Sequence, residues 1–109
     1  MKLQRGDIYI VELNGEGSEQ RGSRPCLIIQ NDMGNTYSNT TIILPITSQN
    51  KRYTKTHVDI ECLRYPSTVL CEQIRVLDKS KLQRKIATLS AEKMMEVQSK
   101  ILITLGMEL

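Results

Sequence analysis

Residues 19–32 read EQRGSRPCLIIQND, and the parsing of this stretch sets the rest of the chain. Glu19, Gln20, Arg21 and Arg24 crowd against Pro25. A four-residue apolar block, CLII, follows and breaks on Gln30, Asn31 and Asp32. A short apolar run bounded by turn residues reads as a buried central strand, Pro25–Gln30. The charges then lie at its start, where connecting loops meet a sheet and where functional side chains concentrate.

Working outward, Asp7–Leu13 (DIYIVEL) alternates, with Ile8, Ile10 and Glu12 on one face and Tyr9, Val11 and Leu13 on the other. The NGEGSEQRGS segment between these two strands holds three of the six glycines and is expected to be a mobile, exposed connection. On the far side, NDMGNTYSN carries turn chemistry, and Thr41–Thr47 reads as a second central strand. Shorter strands are expected at His57–Glu61, at Thr68–Cys71 running into Glu72–Leu77, and at Lys85–Leu89, with a DKSKL turn from Asp78. The end is helical. Ser90 can cap, Glu92 lies in the first turn, Met94, Val97, Ile101 and Leu105 recur at helical spacing, and Gly106 supplies the stop. Short strands with one terminal helix make a mainly β fold with a C-terminal helix (α+β), a small closed barrel-like sheet with the helix packed on it.

The 109 residues, with neither repeat nor low-complexity linker, read as a single domain over 1–109. No apolar run approaches the ~20 residues of a membrane span. MKLQRGDIYI lacks the apolar core of a secretory leader, so a cytoplasmic location and no membrane partner are expected. Three irregularly spaced cysteines, Cys26, Cys62 and Cys71, fit free, buried thiols better than a disulfide framework. A net charge of +3 is too small to argue for nucleic acid alone. The basic clusters at Lys51, Arg52 and Lys55 and at Lys79, Lys81, Arg84 and Lys85 read by themselves as solvated faces. Phe and Trp are absent, so the core is aliphatic and no row of aromatic platforms exists for stacking bases.

His57, the sole histidine, opens a strand with no serine or acid partner nearby in sequence. With Cys62 it makes two lone ligands rather than the four of a structural zinc site, so no metal is expected. Cys26 and Cys71 lie in apolar strands, where thiols are usually inert. The remaining polar residues gather at strand ends: Glu19, Gln20 and Arg24; Thr47, Ser48 and Gln49; Glu72, Gln73 and Arg75. In a barrel these groups can converge on one rim. A purely structural account would instead pair Arg24 with Glu72 and let Thr47 cap a turn.

RGDIYIVEL, GSEQRGSRPCLIIQNDMGN, PITSQ, THVDI and EQIRVLDKSKL, in this order and spacing, resemble the MazF/PemK (Kid-type) toxin family from about Arg5 to the terminal helix. The resemblance implies a compact SH3-like barrel working as a homodimer. It implies a ribosome-independent endoribonuclease, the toxin of a type II toxin–antitoxin system. Such enzymes cut single-stranded RNA at short sequences without metal or other cofactor, leaving a 2′,3′-cyclic phosphate and a 5′-hydroxyl. A cognate antitoxin inhibits them by laying a flexible acidic segment across the RNA groove.

Arg24 matches the family's catalytic arginine, and its guanidinium fork suits phosphate oxygens at any working pH. Thr47 matches the catalytic threonine, whose hydroxyl can donate to the same phosphate. Glu19 and Glu72 match acidic positions of the family motif and either carboxylate could take the proton, which leaves the base open; Glu19 is grouped with the catalytic residues. Gln20, Arg21, Ser48, Gln49, Glu72, Gln73 and Arg75 are assigned to RNA binding. Two departures stand out. Leu70 occupies a position where some plasmid-borne members carry a second arginine, and Arg21 stands where many relatives have glycine. Two alternatives share the fold: a non-nucleolytic toxin that poisons DNA gyrase through the end of its terminal helix, here ILITLGMEL, and a catalytically inert interaction module.

Overall fold

The computed structural model describes residues 2–49 and 54–107. The chain runs through β1 (Asp7–Leu13), β2 (Gly22–Ile28), α1 (Asp32–Tyr37), β3 (Thr40–Thr47), β4 (His57–Ile60), β5 (Ser67–Leu70) and β6 (Arg75–Asp78). A 3₁₀ turn at Lys79–Lys81 then leads to β7 (Leu82–Thr88) and α2 (Ala91–Thr104). The seven strands pair antiparallel in the order β4-β5-β3-β2-β1-β7, with β6 on β3 beside β5.

The central strands read as nearly continuous apolar runs because both of their faces are buried. Ile8, Leu27, Leu44 and Ile46 point to one side, where Val58, Ile60 and Val69 from β4 and β5 and Met94 and Val97 from α2 cover them. Tyr9, Val11, Leu13, Cys26, Ile28 and Ile43 point to the other, with Leu77 of β6 and Leu82 of β7 packed against them. Because the Lys79–Lys81 turn joins β6 to β7, that second face is the inside of a small barrel.

Several boundaries differ from the sequence expectation. NDMGNTYSN forms a short helix rather than a turn, because the Asn31 side chain accepts the Gly34 N–H at 2.8 Å and caps it. β2 begins at Gly22, so Pro25 lies inside the strand rather than at its mouth. The chain turns at Cys71 and Glu72, closed by Gln73 N–H donating to the Leu70 carbonyl at 3.1 Å, before β6 begins at Arg75. The last strand starts at Leu82, earlier than Lys85. In α2, Ser90 caps by accepting from Lys93 N–H at 3.2 Å, and Met94 and Val97 are buried. Leu105 instead ends the helix 55% exposed, just before Gly106, whose φ of +71° an L side chain rarely adopts.

Cys26 and Cys71 are buried, but Cys62 is exposed, against the expectation for all three. Burial pushes the Cys26 thiol up to about 12 against the pull of the Arg75 guanidinium. Burial, reinforced by the neighbouring Glu72 carboxylate, does the same to Cys71. Neither thiol is a nucleophile at neutral pH.

Candidate active site

A proline marks where β2 and β3 part. Their ladder runs from Ile28↔Ile43 to Cys26↔Pro45 and stops there. The nitrogen of Pro25 falls on the β3 side of β2 and carries no hydrogen to extend the ladder. Continuing the same register by two residues on each strand sets Arg24 opposite Thr47, just past the last pair. Beyond Pro45, β3 pairs on its other edge with β5, through Ile46↔Val69 and Thr47↔Thr68. Arg24 and Thr47 therefore lie at the notch where the β2–β3 ladder ends.

Arg24 is partly buried, and its Nε donates to the Arg21 carbonyl at 3.0 Å. The Cys26 thiol donates weakly to the Arg24 carbonyl at 3.7 Å. Arg24 makes no ion pair among the described residues; the partner of Glu72 is His57, with Nε2 3.3 Å from Oε1. Thr47 is 1% exposed, and its Oγ1 accepts the Gln49 N–H at 3.1 Å, so the threonine does shape the turn after β3. Among the described residues that hydroxyl donates to no acceptor. Ser48 and Gln49 are exposed beside it.

The loop between β1 and β2, expected as a mobile, exposed connection, is exposed over most of its length and tied down at its stems. Arg75 forks around its two stems, donating Nη1 to the Asn14 carbonyl at 2.7 Å and Nη2 to the Gln20 carbonyl. Gln73 accepts the Gln20 N–H at 2.9 Å through Oε1 and donates Nε2 to the Ser18 carbonyl at 3.4 Å. Gly15 makes this closure possible, since a Cβ there would lie 2.7 Å from the Gln20 carbonyl oxygen. Gln20 itself is 6% exposed. Glu19 and Arg21 stay exposed, and Glu19 Oε1 accepts the Glu16 N–H at 2.9 Å inside the loop.

The structure thus joins the first and third polar groups directly and brings the second beside them through the β2–β3 register. Sequence reasoning missed the acid partner of His57, which lies 15 residues away across the β4–β5 hairpin. Lys81, from the second basic cluster, lines a cleft of about 190 Å³ with Arg75, Leu13 and Asn14. Lys79 sits at the other end of β3, donating its N–H to the Asn39 carbonyl at 2.9 Å. Lys51 and Arg52 lie outside the described residues. Among the described residues no three His, Cys, Asp or Glu side chains gather as a metal site would require. No helix of the described residues is long and apolar enough to cross a membrane.

These features coincide with a known class. Residues 4–105 match the model of the PemK-like, MazF-like toxins of type II toxin–antitoxin systems, and the chain belongs to that family. It is 49% identical to the endoribonuclease MazF of Staphylococcus saprophyticus over 96% of this chain and 92% of the relative. Its fold superposes on Deinococcus radiodurans MazF with a TM-score of 0.86 at 27% identity, covering 98% and 99% of the two chains. A MazE–MazF structure from the same organism matches at 0.80 and 27%, covering 99% of each chain.

Proposed function

We propose that this toxin acts as a sequence-specific, metal-independent and ribosome-independent endoribonuclease on single-stranded RNA. The observation that supports the reading is the β2–β3 register: extended two residues past its last pair, it would bring Arg24, which has no ion pair among the described residues, level with Thr47, whose hydroxyl donates to no acceptor among them. The 49% identity to a protein named as an endoribonuclease supports it.

Cleavage begins when the ribose 2′-oxygen loses its proton and attacks the adjacent phosphorus. The P–O5′ bond then breaks as a proton reaches O5′, leaving a 2′,3′-cyclic phosphate and a 5′-hydroxyl. Arg24 stabilises the negative charge gathering on the non-bridging oxygens, and Thr47 donates a hydrogen bond to the same group. Glu19 takes the 2′-proton through the oxygen not bound to Glu16. An arginine cannot do so readily, because its pKa lies above ~12. Exposed Arg21, Ser48 and Gln49 contact RNA directly. Gln20, Gln73 and Arg75 serve it by holding the loop that carries Glu19.

The protein works as a homodimer, and a cognate antitoxin blocks the groove, as the MazE–MazF match suggests. Incubating the purified protein with one long single-stranded RNA in EDTA, then mapping cut positions and end groups, tests activity, chemistry and specificity together. Cuts at a short motif with cyclic-phosphate ends are expected. Intact RNA, or cutting that disappears with the metal, would sink the reading.

A further inference from the structure

We propose that His57 is a positioning residue of this site: by holding Glu72, it clasps the segment Thr54–His57 to the same turn that anchors loop 14–20. This rests on the ribonuclease reading above.

Glu72 and Gln73 are neighbours in one turn, yet they reach in different directions. Gln73 binds the Gln20 N–H and the Ser18 carbonyl, as described above. Glu72 Oε1 accepts from Thr56 Oγ1 at 3.1 Å, and its Oε1 and Oε2 lie 3.3 and 3.4 Å from His57 Nε2. One turn therefore ties together two stretches that are remote in sequence.

The state of the imidazole follows from its surroundings. The His57 side chain is 9% exposed, and Nδ1 is buried without a partner among the described residues. An orphaned buried N–H is costlier than an orphaned lone pair, so the proton belongs on Nε2, where the carboxylate accepts it. His57 is then a fixed donor to Glu72. Backbone bonds prepare it: His57 N–H donates to the Thr54 carbonyl at 3.2 Å, and Cys71 N–H to the Thr56 carbonyl at 3.0 Å.

The consequence is order on both sides of the notch. Thr54–His57 leads into β4, so the clasp fixes the approach to that strand. Glu72, held by His57 and Thr56, makes no ion pair with Arg24. The arginine is left for phosphate.

Compare wild type, His57→Ala and His57→Gln for kcat and KM on a short cleavable RNA, cut-site spectrum on a long RNA, and exchange of the Cys71 amide. The alanine variant should raise KM roughly tenfold, as expected for losing one charge-assisted hydrogen bond, broaden the cut-site spectrum and speed Cys71 exchange. Glutamine, whose Nε2 can donate to the same carboxylate, should restore most of each. Unchanged KM, spectrum and exchange in the alanine variant overturn the proposal. So does a glutamine variant no better than alanine, which would mark His57 as a packing residue. Should the alanine variant not fold, Thr56→Val removes the second bond to Glu72, and the same readouts should move the same way. If wild type cuts no RNA, the ribonuclease reading fails by itself. Cys71 exchange then still decides whether His57 closes the clasp.

Discussion

Gln73 Oε1 accepts the backbone N–H of Gln20 at 2.9 Å, joining residues 53 apart in the chain. With the Arg75 fork on Asn14 and Gln20, this bond turns a glycine-rich connection into a shaped wall beside Arg24. The Gln-x-Arg of the EQIR segment therefore acts first on the protein's own backbone.

Removing that acceptor should cost stability. Gln73→Ala leaves the Gln20 N–H partly buried without its partner, a loss of about 1–3 kcal/mol. Urea unfolding should show a lower midpoint with an unchanged slope. Arg75→Lys should weaken the same loop, since one ammonium cannot fork two carbonyls as a guanidinium does.

Arg24→Ala should fold normally, by circular dichroism, and lower kcat at least ~100-fold, because a positioned donor to the transition-state oxyanion is lost. Arg24→Lys should recover little, having charge without the fork. Thr47→Ser should keep activity within about tenfold, whereas Thr47→Val should approach the Arg24→Ala loss. Equal rates for Thr47→Val and wild type would remove the hydroxyl from the mechanism.

Arg21 separates side-chain from backbone effects. Its carbonyl receives Arg24 Nε, and Arg21→Gly keeps that carbonyl while removing an exposed cation. Stability should change by no more than about 0.5 kcal/mol. The salt dependence of RNA binding should flatten by about 0.7 in log–log slope if Arg21 neutralises one phosphate, with kcat preserved.

The cysteines should divide by burial. At pH 8 a disulfide reagent should label Cys62 quickly in the native protein and all three only after unfolding, since Cys26 and Cys71 are buried and shifted to about 12. The pH dependence has a definite sign. Both folded-state values lie above the ordinary 9.0, so the native state holds protons that the unfolded chain releases. This contribution is complete below pH 9 and is lost as pH rises toward 12, and Cys26→Val should flatten that alkaline loss. An identical alkaline profile in the variant would remove Cys26 as a source.

Much of the fold is legible because two-sided burial leaves long apolar runs. Asp7–Leu13 has the bounds its alternation predicts, and Ser90, Met94 and Val97 behave as the helix pattern requires. Turn residues were less decisive. The same Asn, Asp and Gly that signal a turn cap a short helix at Asn31, because local side-chain bonds serve either conformation. Arg24 and Thr47 could be named from motif alone. Gln20 could not be placed, since nothing in its neighbourhood announces that it is buried under Gln73.

The sequence by itself determined the strand-rich plan, the aliphatic core, the terminal helix and the residue types for phosphate chemistry, because these depend on local periodicity and side-chain chemistry. Tertiary structure decided which groups meet. Arg24 and Thr47 each lie two residues past Cys26↔Pro45, the last β2–β3 pair, where Pro25 has no N–H to extend the ladder. Glu72 belongs to His57, rather than Arg24, because the β4–β5 hairpin sets His57 against Leu70, two residues before it. Such pairings are fixed by strand register, a long-range property that adjacent residues do not encode.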